Sequence, residues 1–300
     1  MSKFFNSLKT VFFVLFMLQF LPTMFSSFKK QYSDLMQAKT KIGVIPIKSS
    51  LYDSDKYIKN LKEYFKDNSI KAIILKIDCP GGAAGTSQAL FNEIKKLKKS
   101  HCKYVIAFVE NMAASGGYYI ASAADYIIST PSAFIGSIGS YIAYPMFKDF
   151  IEQFKVKYEV VKSGDYKTVA NPLLETTQAQ KDMLQALSDN VYNQFVADIA
   201  KQRVNLPKDN KIWADGKIFT GEQALHLGLI DQIGSQSDIK QILEEKASVS
   251  GELQLITAKK KTSFLNMLLN PEEDNDISLL SQIASQVLSL FKKDSVSAKY

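Results

Sequence analysis

The chain has 300 residues, 46% of them hydrophobic and 22% charged, with a formal net charge of +7. That composition describes an ordinary globular protein with enough apolar mass for a sizeable core. Arg203 is the sole arginine, so no arginine-rich stripe with interleaved aromatics is available, and nucleic acid is not expected as a partner. The lysine excess reads first as a solvated surface and second as attraction to anionic lipid headgroups. Cys79 and Cys102 make no disulfide framework, and with two histidines at no ligand spacing, neither a metal site nor a cofactor is expected.

The chain carries no charge from Thr10 to Phe28, a run of 19 residues that is just long enough to cross a bilayer as a helix. Lys3 and Lys9 precede it, which also fits a signal peptide. Bulky Met24, Phe25 and Phe28 crowd its end and no Ala-x-Ala-like cleavage site follows, which favours an uncleaved anchor over a cleaved signal. Lys29, Lys30, Lys39 and Lys41 lie beyond the span, so a plain lysine count places the main domain on the cytoplasmic side. The expected organisation is an anchor or signal segment at 1–28, a linker at 29–41, a main domain at 42–247 and a tail at 248–300.

Within the main domain, Ile42 to Ile47 reads as a strand and Asp53 to Lys66 as a helix with Tyr57, Leu61, Tyr64 and Phe65 on one face. Ala72 to Ile77 is a buried strand ended by Asp78-Cys79-Pro80-Gly81-Gly82, and Thr86 to Lys99 a helix facing inward through Leu90, Phe91, Ile94 and Leu97. Tyr104 to Val109 is a third strand, the Ser115 turn opens a helix to about Ala123, and Tyr126 to Ile128 is a fourth strand. Tyr158 to Lys162 is expected as a short strand. Thr176 to Arg203 is a long helix, capped at Thr176 or Thr177 and striped by Leu184, Leu187, Val191, Phe195 and Ile199. Another helix begins at Phe219 to His226 with Thr220 as its cap. Strands alternating with helices predict crossover units, an α/β fold and a largely parallel β-sheet with flanking helices. In the tail, Ile277 to Phe291 has apolar residues at helical spacing. It reads as a helix packed on its own domain, on a partner or on a membrane surface.

A serine hydroxyl attacks only when something takes its proton, and a lysine serves this purpose as well as a histidine does. Ser115, in Asn111-Met-Ala-Ala-Ser-Gly-Gly-Tyr-Tyr119, is the candidate nucleophile. His101 reads as a solvated residue at a strand entrance and His226 as a packed or half-exposed helical residue; neither is a persuasive base. A lysine acts as a base only when neutral, and burial in an apolar pocket disfavours its ammonium form. Lys167, in Ser163-Gly-Asp-Tyr-Lys167, has Tyr166, Val169, Ala170 and Pro172 beside it and one acidic neighbour, Asp165. Spacing alone does not separate it from a surface lysine. Gly116 and Gly117 follow Ser115 at a helix start, where backbone N–H groups face outward. Together with the glycines of Asp78 to Gly82 they suit an oxyanion hole; a tight turn without a ligand is the alternative. Gly136-Ser-Ile-Gly-Ser140 reads, by itself, as a plain loop.

Asp78 to Gly82, Met112 to Tyr119, Gly136 to Gly139 and Ser163 to Lys167 together resemble, in order and spacing, the signal peptide peptidase A (protease IV) family. The resemblance covers roughly Ile42 to Ile242. It implies a crotonase/Clp-protease-like superfold, an N-terminal transmembrane helix in the inner (cytoplasmic) membrane and a periplasmic or extracytoplasmic catalytic domain, against the lysine count. Carried over by motif, Ser115 is the nucleophile, Lys167 the general base, Gly82 and Gly116 the oxyanion donors, and Ser137 orients the lysine amine. The resemblance further implies homo-oligomers in which serine and lysine come from neighbouring protomers, and apolar signal-peptide remnants as substrates. Cys79 departs from the family pattern, which often has serine or asparagine there. The expected function is therefore a membrane-anchored Ser/Lys serine endopeptidase degrading signal peptides left in the membrane. The rival readings are another hydrolase of the same superfold and a non-catalytic membrane ring or scaffold.

Overall fold

The computed structural model describes residues 39–258, so the segment at 1–28 and the tail helix at 277–291 lie outside the described residues. Among the described residues no helix is long and apolar enough to cross a membrane. The first five strands and three helices alternate as β1 (Thr40–Lys48), α1 (Asp55–Lys66), β2 (Ile70–Cys79), α2 (Ala84–Ser100), β3 (Tyr104–Ala114), α3 (Gly116–Ala121), β4 (Tyr126–Ser129) and β5 (Phe134–Gly136). There follow α4 (Lys148–Gln153), α5 (Gln178–Gln202), β6 (Ile218–Thr220), α6 (Gly221–His226), β7 (Gln232–Ile233), α7 (Ile239–Ala247) and β8 (Leu253–Thr257).

The strands form one sheet in the order β6-β5-β3-β2-β1-β8, with β4 pairing β3 and β7. Every pairing is parallel except β5 with β6. β3 is long enough to serve two neighbours in turn: Ile106 to Val109 pair with β4, and Met112 to Ala114 with β5.

Alternation along the strands divides the core into two layers. Ile42, Ala72, Ile74, Ile106, Phe108 and Ile128 point to the face covered by Ile239, Ile242 and Leu243 of α7. Gly43 points the other way, and a side chain there would lie 2.5 Å from the Tyr64 ring of α1. That face receives α1 to α3, through the expected residues Tyr57, Leu61, Tyr64 and Phe65 of α1 and Leu90, Phe91, Ile94 and Leu97 of α2, all buried. Thr177 and Thr220 each close a capping box, with Gln180 and Gln223 respectively.

Three features differ from the expectations. Tyr158 to Lys162 forms no strand and is exposed, because a strand needs a ladder partner and no described segment pairs with it. β8 extends the sheet beyond Ala247 by pairing with β1, so its backbone belongs to the sheet rather than to the tail. Of the apolar stripe on α5, Phe195 and Ile199 are buried but Leu187 is 52% exposed, since the first half of the helix has little packed over it.

The end of α5 is held by the sole arginine. Arg203 forks onto Asp231 with bonds of 2.8 and 2.9 Å and donates to the Gly228 carbonyl, while Asp231 also accepts the Ile127 N–H. The Arg203 side chain is 10% exposed, so removing it strands a carboxylate in a poorly solvated place. Arg203→Met is expected to cost about 3 kcal/mol in urea unfolding, and Arg203→Lys less but still measurably, because an ammonium cannot reproduce the fork. A loss under about 0.5 kcal/mol for the methionine variant would contradict this reading.

Candidate active site

The site is assembled where three parallel strands end side by side, the place where open α/β sheets receive ligands. β2 ends in Cys79, β3 in Ala114 and β5 in Gly136; Cys79 pairs with Ala113, and Ala114 with Gly136. The residues that follow leave the sheet as turns, and these turns carry the candidate groups.

Ser115 is the residue after β3 and precedes α3. Its backbone has φ 50° and ψ −121°, a conformation that costs a non-glycine residue about 1–3 kcal/mol. Two bonds hold it there: its N–H donates to the Gly136 carbonyl at 2.7 Å, and its carbonyl accepts the Tyr119 N–H at 2.9 Å. The sharp turn leaves the side chain half-buried between strand and helix. Ser137 occupies the equivalent place after β5, also with φ 50°, and its N–H donates to the Lys217 carbonyl at 2.7 Å. Pairing of Ala114 with Gly136 therefore makes the two serines neighbours across adjacent strands.

The glycines complete this region by close approach. A side chain on Gly81 would lie 2.8 Å from Ser115 Cβ and 2.9 Å from the Gly116 nitrogen; one on Gly116 would run into Ser87 Oγ, and one on Gly117 would meet the Cys79 carbonyl at 2.5 Å. Leu51 forms a parallel bridge with Gly82 by donating to the Gly81 carbonyl and accepting from the Ala83 N–H, both at 2.8 Å. That pattern uses the groups on either side of Gly82 and turns its own N–H away from Leu51. As the first helical residue, Gly116 has no intrahelical acceptor for its N–H. Among the described residues neither N–H makes a hydrogen bond. Two uncommitted donors thus stand close to the Ser115 turn.

Cys79 supports this turn from beneath. Its thiol is buried and accepts the Gly81 N–H at 3.3 Å. Burial pushes its pKa up, so the thiol stays protonated and acts as a packing and hydrogen-bonding group. On the far side of α3, Tyr119 donates its hydroxyl to Asp198 of α5 at 2.6 Å and stacks on Phe195 with ring centroids 4.4 Å apart. Burial first, and that bond second, raise the Tyr119 pKa. Neither Tyr119 nor Asp198 stands out in the sequence, since the pair is 79 positions apart and only the approach of α5 to α3 joins them.

Lys167 is carried by a different turn. It is exposed, in a turn covering 163–170, with its N–H donating to the Gly164 carbonyl at 3.2 Å. No hydrogen bond joins its amine to Ser115 or Ser137 among the described residues. The segment before it is unusually apolar for a surface: Tyr141 is 87% exposed, and Phe147, Phe150, Phe154, Val161 and Tyr166 are exposed too. The histidines stand elsewhere. His226 is exposed. His101 is half-buried at the end of α2 beside the Phe65 ring, and its Nδ1 is buried without a partner among the described residues, so it is a packed residue and not a solvated one.

Residues 97–250, just over half of the chain, match the sequence model of Peptidase family S49. This chain belongs to that family. Residues 41–142 of the S49 chain also match the N-terminal domain of NfeD1b. It is 32% identical over 209 residues to a putative protease of Methanocaldococcus jannaschii, covering 69% of this chain and 66% of that protein. It is 29% identical over 242 residues to a putative signal peptide peptidase SppA of Enterococcus faecium, covering 81% of this chain and 70% of that one. The match to the Methanocaldococcus protein therefore spans just under two thirds of that relative's length. Its fold is similar to the solved structure of 1510-N, a membrane-bound stomatin-specific protease, with a TM-score of 0.50 and 17% identity over 75% of this chain and all of the other. The α/β fold and the family expected from the four motifs both hold.

Gly82→Ala drives a methyl group into the Leu51 backbone at φ 155°, so it is expected to lower stability by about 2 kcal/mol or more. Gly85→Ala, whose side chain meets nothing, is expected to be neutral or slightly stabilising in the same thermal melts. Equal effects would refute the close approach. For the thiols, one group (Cys102) is expected to react with a thiol reagent in the native protein and two after denaturation. Because the Cys79 pKa is raised on folding, its contribution to stability is present below the unfolded thiol pKa of about 8.5 and is lost as pH rises through the folded value. Stability above pH ~8.5 should accordingly fall less steeply in Cys79→Ser than in the parent.

Proposed function

We propose that this S49 chain is a serine endopeptidase that cleaves apolar peptides, including signal-peptide remnants at a membrane, with Ser115 as nucleophile and Lys167 as general base. The observation that carries the reading is the Ser115 turn, strained and half-buried, with the uncommitted N–H groups of Gly82 and Gly116 close by. A neutral Lys167 amine takes the proton of the Ser115 hydroxyl as its oxygen bonds to the scissile carbonyl carbon. The carbonyl oxygen becomes an oxyanion, held by the two backbone N–H groups, and preorganised donors of this kind supply a large part of acyl-transfer catalysis. Collapse breaks the C–N bond, and the lysine passes its proton to the departing amine. Water, deprotonated by the same amine, then bonds to the acyl carbon; the bond from that carbon to Ser115 Oγ breaks, and the lysine returns the proton to the serine oxygen. Ser137, next to Ser115 across the β3–β5 pair, orients the lysine amine.

The base is supplied by a neighbouring protomer. Two features support this: the Lys167 turn is exposed and makes no bond to Ser115 within its own chain, and the preceding segment exposes a run of aromatic and aliphatic side chains. Such a surface is expected to be covered in an assembly. The uncharged run at 10–28 anchors the chain in the inner membrane, with the catalytic domain on the extracytoplasmic side, and raises the local concentration of membrane-bound fragments. The catalytic chemistry calls for no metal or cofactor.

Ser115→Ala and Lys167→Ala are each expected to lower cleavage of an apolar reporter peptide by about 10³-fold or more. Co-assembly of the two inactive variants tests the shared site directly. A serine from one protomer and a lysine from the other restore activity in the mixture, whereas a site built within one chain stays dead. Full activity of either single variant would rule out the dyad.

A further inference from the structure

Among the described residues, one buried side chain hydrogen-bonds to the Lys167 turn. Gln180, in the first turn of α5, is 6% exposed, and a buried amide persists there only if its polar atoms are bonded. Its Oε1 accepts the Thr177 N–H at 3.2 Å, and its backbone N–H donates to Thr177 Oγ1 at 3.3 Å, closing the cap of α5. Its Nε2 donates to the Asp165 carbonyl at 2.9 Å, two residues before Lys167. With an acceptor and a donor partner at opposite ends of the amide, its orientation is determined. The other tie to this turn is Lys162 Nζ, which reaches the Asp165 carbonyl and Thr168 Oγ1 from an exposed position.

The same helix holds the other two parts of the site. Ser188 Oγ donates to the Ser140 carbonyl at 3.2 Å, at the end of the Ser137 turn. Asp198 accepts the Tyr119 hydroxyl, and the Tyr119 N–H bonds the Ser115 carbonyl. From Gln180 to Asp198 is 18 residues, about five turns and about 27 Å of rise, so both lie on one line of the helix surface.

We propose that Gln180 is the positioning residue of Lys167, acting through the Asp165 carbonyl, so that α5 sets where the lysine is presented. This rests on the reading of Lys167 as the base. The lysine is presented outward, and a loosened turn therefore costs rate more than binding. A misplacement of about 1 Å lowers turnover by about 10²-fold.

Gln180→Glu separates the two duties of the side chain: a glutamate keeps the capping oxygen but no longer donates to Asp165. In the full-length chain we expect a lowered melting temperature, because the buried carboxylate would face the Asp165 carbonyl without a donor, together with faster hydrogen exchange at residues 163–170 and, at a temperature where the variant is folded, kcat lowered about 10- to 100-fold with KM within about twofold. Unchanged exchange in the turn, or parental kcat despite faster exchange, would overturn the proposal. If the glutamate variant does not fold, Gln180→Met, which keeps the Thr177 Oγ1 bond, is judged by the same three measurements. Lys167→Ala is assayed beside them. Parental activity in that variant counts against the dyad, whereas its inactivity with a fully active Gln180→Glu counts against Gln180 alone.

Discussion

The architecture of the site depends on one backbone constraint: the chain must reverse direction at Ser115 between β3 and α3 through a conformation that a serine does not prefer. The strain is sustained because the strand before it and the helix after it are both over-determined. β3 is paired on one edge with β2 and on the other with β4 and then β5. All six residues of α3 are buried. So short a helix has no stability of its own. It persists through its packing: Tyr118 donates to the Leu229 carbonyl at 2.6 Å, Tyr119 is held by α5, and Gly116 and Gly117 let the backbone close on Ser87 and Cys79. The shape of the Ser115 turn is thereby built into the sheet and the elements packed on it.

α5 plays the complementary part on the outside of the sheet. At its C-terminal end the Arg203–Asp231 fork ties it to the segment leading into β7, and along its inner face Phe195, Asp198, Ser188 and Gln180 reach α3, the Ser137 turn and the Lys167 turn in succession. A rigid rod with several fixed contacts transmits position better than a loop does. The first half of this rod is thinly covered, and it adjoins the exposed apolar segment before Lys167. The covered end holds α3 beside the Ser115 turn, and the uncovered end bears the turn that carries Lys167.

Much of this was legible in the sequence, and for identifiable reasons. The apolar residues of α1 and α2 recur at helical spacing and are buried as that spacing requires. Ala72 to Ile77 reads as a buried strand, and the alternation of strands with helices predicts the largely parallel sheet that forms. The caps at Thr177 and Thr220 are local chemistry between residues three apart. The small residues around Ser115 signal a tight strand-to-helix turn, and the scarcity of histidine directs attention to a lysine.

The tertiary structure decided what local pattern cannot encode. Tyr158 to Lys162 has the composition of a strand but no edge to pair with, whereas the less conspicuous β8 finds one on β1. Gln180 closes the cap of α5 with Thr177 three residues away, yet its bond to Asp165 exists only because the Lys167 turn folds back onto α5. Tyr119 and Asp198, or Arg203 and Asp231, are anonymous until two elements pack together. Periodicity, capping and backbone sterics act over a few residues, so the sequence by itself determined most of the helices, the central strands, the class of fold and the serine turn. Strand partners and uncommitted N–H groups depend on which surfaces meet across the chain, and packing alone decided those.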